Sequence, residues 1–328
     1  LPEPRQARRA WVASASVTNL TPFMSADRKT LVWDAPEGRW TLLRIGHENA
    51  GRRNGPAPEE ATGWECDKLS VRGADTHFAG YIGRLSGEKG AVRGKLDAML
   101  MDSWECARQT WTEGLEKTFE GRCGYALDRW MPALFGWVVD DPETTDRFLC
   151  DWRNLLSKLI TDEFFGRMAK HAHDNGLQCQ FETAFGDTLC GDILEYYKYA
   201  DTPMCEFWSP HNGYFCGDIN YKPVKPTVSA ARMYGKKRVA AESLTSGALT
   251  WDERFRDLKF DADLHLAQGV THVIFHTYTH NPRTDWLPPG TSFGSGIGTP
   301  FLRGQTWWRH MPEFTDYLAR CGYLLERG

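Results

Sequence analysis

Residues 177–182, LQCQFE, follow directly on the longest helical pattern in the chain and end in a glutamate. That pattern covers 140–175: Asp141 suits the N-cap, Pro142 the first helical position, and Asn175-Gly176 a C-terminal stop. A short apolar run leaving such a stop reads as a strand fed by a helix, the rhythm of parallel βα units. Three other segments share its grammar: LDAMLMDSWE at 96–105, PMCEFW at 203–208 and RVAAE at 238–242. A carboxylate at the end of a buried strand costs desolvation free energy unless it finds partners. Four such ends imply that their mouths converge on one polar pocket, as at the C-terminal face of a parallel barrel.

Outward from these strands, the pattern predicts helices over 75–85, 109–122, 187–199, 227–234 and 252–268. Gly235 and Gly269 close the last two. A further strand is expected over 271–276, making five of barrel type, fewer than eight. Before residue 63 the chain reads as β, with runs at 10–17, 29–33 and 39–45 and a turn-rich stretch at 49–62. The expected organisation is a β-rich segment over 1–62 and a partial (β/α) barrel over 63–328, an α/β chain.

The net charge of -4 offers no electrostatic case for nucleic acid or an anionic membrane. No run of about 18 apolar residues occurs, so neither a signal peptide nor a membrane span is expected in the chain as given. Nine cysteines are scattered, with no C-x-x-C pair, and read as buried thiols rather than a disulfide framework or zinc site. The 14 Trp, 11 Tyr and 17 Phe supply flat faces able to stack on sugar rings, although most are expected in the core.

Opposed carboxylates such as Glu105 and Glu242 are what glycosidic cleavage needs, one neutral to protonate the leaving oxygen and one ionised on the anomeric side. Glu182 and Glu206 end intervening strands and suit sugar hydroxyls or a hard cation. His171 and His173, two apart near a helix end, would face different sides and do not make a metal pair. His276 and His280 follow a strand and are candidates for the pocket. The loops at 207–215 and 287–300, with Trp307 and Trp308, could supply subsite walls; the glycines of the second lack the context of a phosphate loop.

On RWTLLRIGH, WECDKLS (64–70), DSWE, QTWT (109–112), CEFW, AAES, HTYTHNP and WWRHMPEFTDYLARC, the chain resembles glycoside hydrolase family 106, the α-L-rhamnosidases. The resemblance implies a (β/α)8 TIM-barrel-like catalytic domain with β-rich accessory domains, and an inverting, calcium-dependent exo-enzyme that removes terminal L-rhamnose from a glycan. It also implies that the chain is an internal piece lacking the first strands, from a bacterial protein working in the periplasm or outside the cell. If three strands are absent in front, 96–103 is the fourth strand and 238–241 the seventh, on opposite sides of the rim. Glu105 is then the general acid and Glu242 the general base. The two roles are interchangeable on this count, and Glu206 can stand in for either. Asp102, Trp104, Glu182, Glu206, Trp208, His276 and His280 become sugar contacts, and Glu182, Glu206 and Asp187 calcium ligands. The residues leave open a retaining exo-glycosidase for another sugar, or a non-catalytic carbohydrate-binding remnant.

Overall fold

Strand pairing carries the architecture. The computed structural model describes residues 10–55, 57–87, 89–104, 106, 109–183, 191–209, 223–247, 249–281, 285 and 297–328. Its strands are β1 (Trp11–Val12), β2 (Ala98–Met101), β3 (Val138–Val139), β4 (Gln178–Glu182), β5 (Thr202–Trp208), β6 (Ala240–Thr245) and β7 (His272–Phe275). The last five named other than β3 form one all-parallel sheet in the order β2-β4-β5-β6-β7, and β1 pairs in parallel with β3. The main sheet is a curled half-barrel within a mixed α/β fold, and its five strands are the five expected from the sequence.

The helices are α1 (Val71–Gly80), α2 (Ile82–Ser86), α3 (Leu115–Cys123), α4 (Pro142–Lys158), α5 (Arg167–Asp174), α6 (Ile193–Tyr196), α7 (Val224–Met233), α8 (Phe255–Gln268) and α9 (Met311–Leu325). Asp141 caps α4 as expected, its Oδ1 accepting from the Thr144 amide at 2.8 Å. Between α4 and α5 the helix widens into a π stretch, Leu159–Gly166. At Gly166 a Cβ would come within 2.9 Å of the Tyr199 ring.

Side chains alternate across each strand, so each face of the sheet has its own fate. Cys179 and Phe181 of β4 point outward into an aromatic-rich core with Phe119, Phe148, Trp152, Phe164 and Phe165. Cys205 and Phe207 of β5 and Ala241 of β6 point outward into a second core built on α8 and α9. The opposite face carries Gln180, Glu182, Met204, Glu206, Ala240 and Glu242. The helices therefore take up the apolar alternates, and the polar alternates are left to the concave side.

Several expectations shift. The helix expected over 109–122 begins only at Leu115, because the residues before it are engaged elsewhere. The Gln109 amide accepts from Lys68 N at 2.8 Å and donates to the Cys66 carbonyl at 2.9 Å, while the Thr112 hydroxyl donates to Asp67. The helix expected over 187–199 is described only as α6 and a 3-10 turn, Tyr197–Tyr199. Among the described residues of the β-rich segment expected over 1–62, strand pairing is limited to β1 and the isolated bridges at Met24, Leu31 and Arg53. Residues 39–45 alternate apolar and polar without forming a strand, and Leu42 is 61% exposed. β1 instead docks on β3, with the Ser14 amide donating to Asp140 Oδ1 at 2.7 Å. No described helix is long and apolar enough to cross a membrane.

Candidate active site

In register, Met101 pairs with Phe181, Glu206 with Glu242, and Glu242 with Ile274. Because alternate residues share a face, Asp102 after β2, Glu182, Glu206, Glu242 and His276 after β7 all fall on the concave side at the C-terminal rim. One carboxylate oxygen from each of Asp102, Glu182 and Glu242 lies within 4.8 Å of the others. Three of the sequence candidates thus meet, although they are up to 140 residues apart along the chain, counting from 102 to 242.

Short side chains orient the group. The Ser103 hydroxyl donates to Glu182 Oε2 at 2.9 Å, and the Ser103 amide to Asp102 Oδ1 at 2.8 Å. The Thr245 hydroxyl donates to Glu242 Oε1 at 3.2 Å, and His276 Nδ1 stands 3.6 Å from the same oxygen. Glu206 is held separately, its Oε2 accepting from Trp208 Nε1 at 3.2 Å, so it sits beside the trio rather than within it. Gly298 packs against His276: at φ +89° its absent Cβ would lie 3.4 Å from Nδ1. Ser103, Thr245 and Gly298 were not foreseen, and only the adjacency of Ser103 to Asp102 offers a signal for any of them.

The other candidates fall elsewhere. Trp104 is buried in the outer core, with its ring 6.4 Å from Phe165 and the Lys68 ammonium 5.5 Å from it. His280 is exposed. Glu105 and Asp187 lie outside the described residues.

The electrostatics follow from crowding. Glu182 is 1% exposed, and burial, with Asp102 and Glu242 beside it, raises its carboxyl far above the usual range. Asp102 moves the opposite way, lowered chiefly by its hydrogen bond with Glu182. Crowding thus favours the neutral form at Glu182 and the ionised form at Asp102, the arrangement of two carboxyls sharing a proton. Burial also lowers His276, so its imidazole is neutral at pH 7.

This predicts a pH signature. Glu182 is ionised in the unfolded chain above about pH 4.3 but keeps its proton when folded, so stability is full below that pH and is lost as pH rises toward the folded value. The opposite shift of Asp102 acts only at lower pH. In chelator, the melting temperature should fall between about pH 5 and about pH 9, and Glu182→Gln should flatten the fall. Parallel melting curves for the two proteins would contradict the shared proton.

The trio also suits a hard cation. Glu182 Oε1 is buried with no hydrogen-bond partner among the described residues, and Asp102 and Glu242 each bring a carboxylate oxygen within 4.8 Å of a Glu182 oxygen. Either a proton or a cation must lie between such groups, and an all-oxygen donor set matches calcium. A second cluster, His173, Cys179 and Asp201, reads as a closed structural contact. Asp201 Oδ2 accepts from the Cys179 amide at 2.7 Å and lies 2.8 Å from His173 Nε2, while burial pushes the thiol up to about 12.

Comparison with known proteins points to one family. The family model for glycoside hydrolase family 106, alpha-L-rhamnosidase, matches residues 1–328. A rhamnosidase from Novosphingobium sp. PP1Y superposes with a TM-score of 0.79 at 31% identity, covering 96% of this chain and 30% of that one. A protein of Formosa agariphila named "Putative beta-glucuronidase" is 35% identical over 321 residues, 97% of this chain and 26% of its own length. The chain therefore spans between a quarter and a third of these relatives.

Proposed function

Because the chain belongs to glycoside hydrolase family 106, the alpha-L-rhamnosidases, we propose that it carries the catalytic centre of an inverting exo-α-L-rhamnosidase acting on rhamnose-capped glycans. The observation that carries this reading is the convergence of Asp102, Glu182 and Glu242 on one rim, with His276 beside them. Polymeric glycans of this kind lie outside the cytoplasm, which assigns the work to the periplasm or beyond.

Inversion needs a base on the face of the sugar opposite the leaving oxygen. Glu242 fits that role. It is oriented by the Thr245 hydroxyl and stands beside the His276 imidazole at the rim. It would take a proton from the attacking water. Glu105, three residues beyond Asp102, would supply a proton to the departing oxygen. Glu206 and Trp208 would bind ring hydroxyls from the adjacent strand.

Asp102, Glu182 and Glu242 are the residues that would hold calcium. A cation held there would supply positive charge suited to orienting ring hydroxyls. The geometry favours Asp102 over Glu206 as a ligand, since Glu206 lies outside the trio.

The experiment is hydrolysis of an α-L-rhamnoside followed by proton NMR, with calcium and after chelation. The expected first product is β-L-rhamnose, with activity at least about tenfold lower in chelator. An α first product would refute inversion, and equal rates in chelator would refute the calcium role. The Formosa agariphila relative motivates a second reading, an exo-glycosidase for a terminal uronic acid. Turnover of a β-glucuronide but no rhamnoside would establish that alternative.

A further inference from the structure

The C-terminal end of β6, the strand that carries Glu242, departs from strand geometry at one residue. Register sets Phe207 opposite Ser243 and Trp208 opposite Thr245, so the pairing skips Leu244, the extra residue of a β-bulge. Leu244 has φ +65°, in the left-handed region that a bulky residue rarely enters.

This inversion changes which side chains share a face. In an unbroken strand Ala241 and Leu244 would lie on opposite sides, and so would Glu242 and Thr245. Instead Ala241 and Leu244 both pack in the outer core, and the Thr245 hydroxyl donates to Glu242 Oε1 at 3.2 Å. Thr245 is fully buried, whereas the Glu242 side chain is 20% exposed at the rim. The hydroxyl therefore lies beneath the carboxylate, out of reach of a sugar.

The bulge is held from three directions. The Leu244 carbonyl accepts from the fully buried Thr299 hydroxyl at 2.5 Å, the Thr245 carbonyl from the Ser209 amide at 2.8 Å, and the Ser246 carbonyl from the Gly298 amide at 2.7 Å. Ser209 is anchored to α8 in turn, its hydroxyl donating to the buried Asp261. The Thr299 amide donates to the His276 carbonyl at 3.0 Å, so one residue braces both the strand end bearing Glu242 and the one bearing His276. With a donor on each carbonyl of 244–246, the surroundings impose a conformation that leucine does not choose by itself. Such outliers gather where a side chain has to be aimed.

We propose that this bulge aims the candidate base. Thr245 is a positioning residue that fixes the Glu242 carboxylate, and Thr299 is a second one, acting through Leu244 from a fully buried position. A carboxylate on an unrestrained glutamate side chain samples several rotamers, and a base is effective only while its oxygen meets the attacking water in line. A donor placed beneath it selects one rotamer before the sugar arrives. This assignment rests on reading Glu242 as the base.

The test measures kcat and KM on an α-L-rhamnoside, with a melting curve for each variant. Thr245→Val, which exchanges only the hydroxyl for a methyl, should lower kcat about tenfold with KM within about twofold, and Thr245→Ser should restore most of the rate. Thr299→Val should show the same split, and combining it with Thr245→Val should lower kcat no further. A Thr245→Val rate within about twofold of wild type, a loss confined to KM, or losses that multiply in the double variant would overturn the proposal. If Thr299→Val does not fold, the two Thr245 variants still decide. The melting curves decide without turnover: Thr245→Val should lower the melting temperature of the wild type by about 2 °C and leave that of Glu242→Ala unmoved. Equal shifts in both backgrounds would refute the contact. No turnover by the wild type, with that melting pattern intact, would instead count against the catalytic reading, so the two failures are distinguishable.

Discussion

Glu242→Gln is expected to reduce kcat on an α-L-rhamnoside by at least about a hundredfold, with KM little changed. Glutamine preserves volume and can still accept from the Thr245 hydroxyl, so the rim should keep its shape. What disappears is the capacity to take a proton from water at the moment of attack. A hundredfold loss corresponds to about 2.7 kcal/mol of transition-state stabilisation, at the low end for a positioned general base. Steady-state kinetics with a melting curve on the same preparation separate lost chemistry from lost fold. A rate within about threefold of wild type in a folded variant would remove Glu242 from the reaction.

The largest effect on stability should come from Phe181→Ala. Phe181 is fully buried on the outward face of β4, with ring centres of Phe165 at 5.3 Å and Tyr196 at 5.7 Å. Truncation removes the transfer free energy of a buried ring and leaves a cavity between sheet and helix, together about 3–5 kcal/mol. Urea denaturation should show the midpoint lowered with the slope retained. Phe181 also precedes Glu182, whose carbonyl accepts from the Tyr196 hydroxyl at 2.8 Å. Slackening at this position should therefore loosen the carboxylate trio. A loss under about 1 kcal/mol would mean that the aromatic layer collapses onto the gap.

The sheet was legible in the sequence because burial and chemistry left marks at the same places. Each of β4, β5 and β6 is a short apolar run containing a glutamate, and the helices before, between and after them begin or stop at Asp141, Asn175, Gly235 and Gly269. The rim candidates Asp102, Glu182, Glu206, Glu242 and His276 follow from the same pattern, since a strand has only two faces. What stayed hidden depended on contacts between distant segments. Residues 109–114 carry helical spacing, yet the Gln109 side chain serves as a polar clip for residues 66–68. The alternation at 39–45 promised a strand whose Leu42 is instead exposed. Trp104 looked like a sugar contact beside Asp102 but lies in the core against Lys68.

The π stretch between α4 and α5 has a consequence for how this chain tolerates insertions and deletions. Phe148, Trp152, Leu156, Ile160, Phe164, Met168 and Ala172 recur at intervals of four and are all buried. At 3.6 residues per turn, each interval of four would carry the apolar stripe about 40° round the axis, so an unbroken α-helix would turn its later members to water. The wider turns of Leu159–Gly166 take up that drift and bring α5 back onto the sheet, with Arg167 and His171 both 2.6 Å from Asp75. Removing a single residue there would act as a rotation of everything downstream rather than as a shortening. Length variation in homologous chains should therefore avoid 159–166 and gather in the loops on either side.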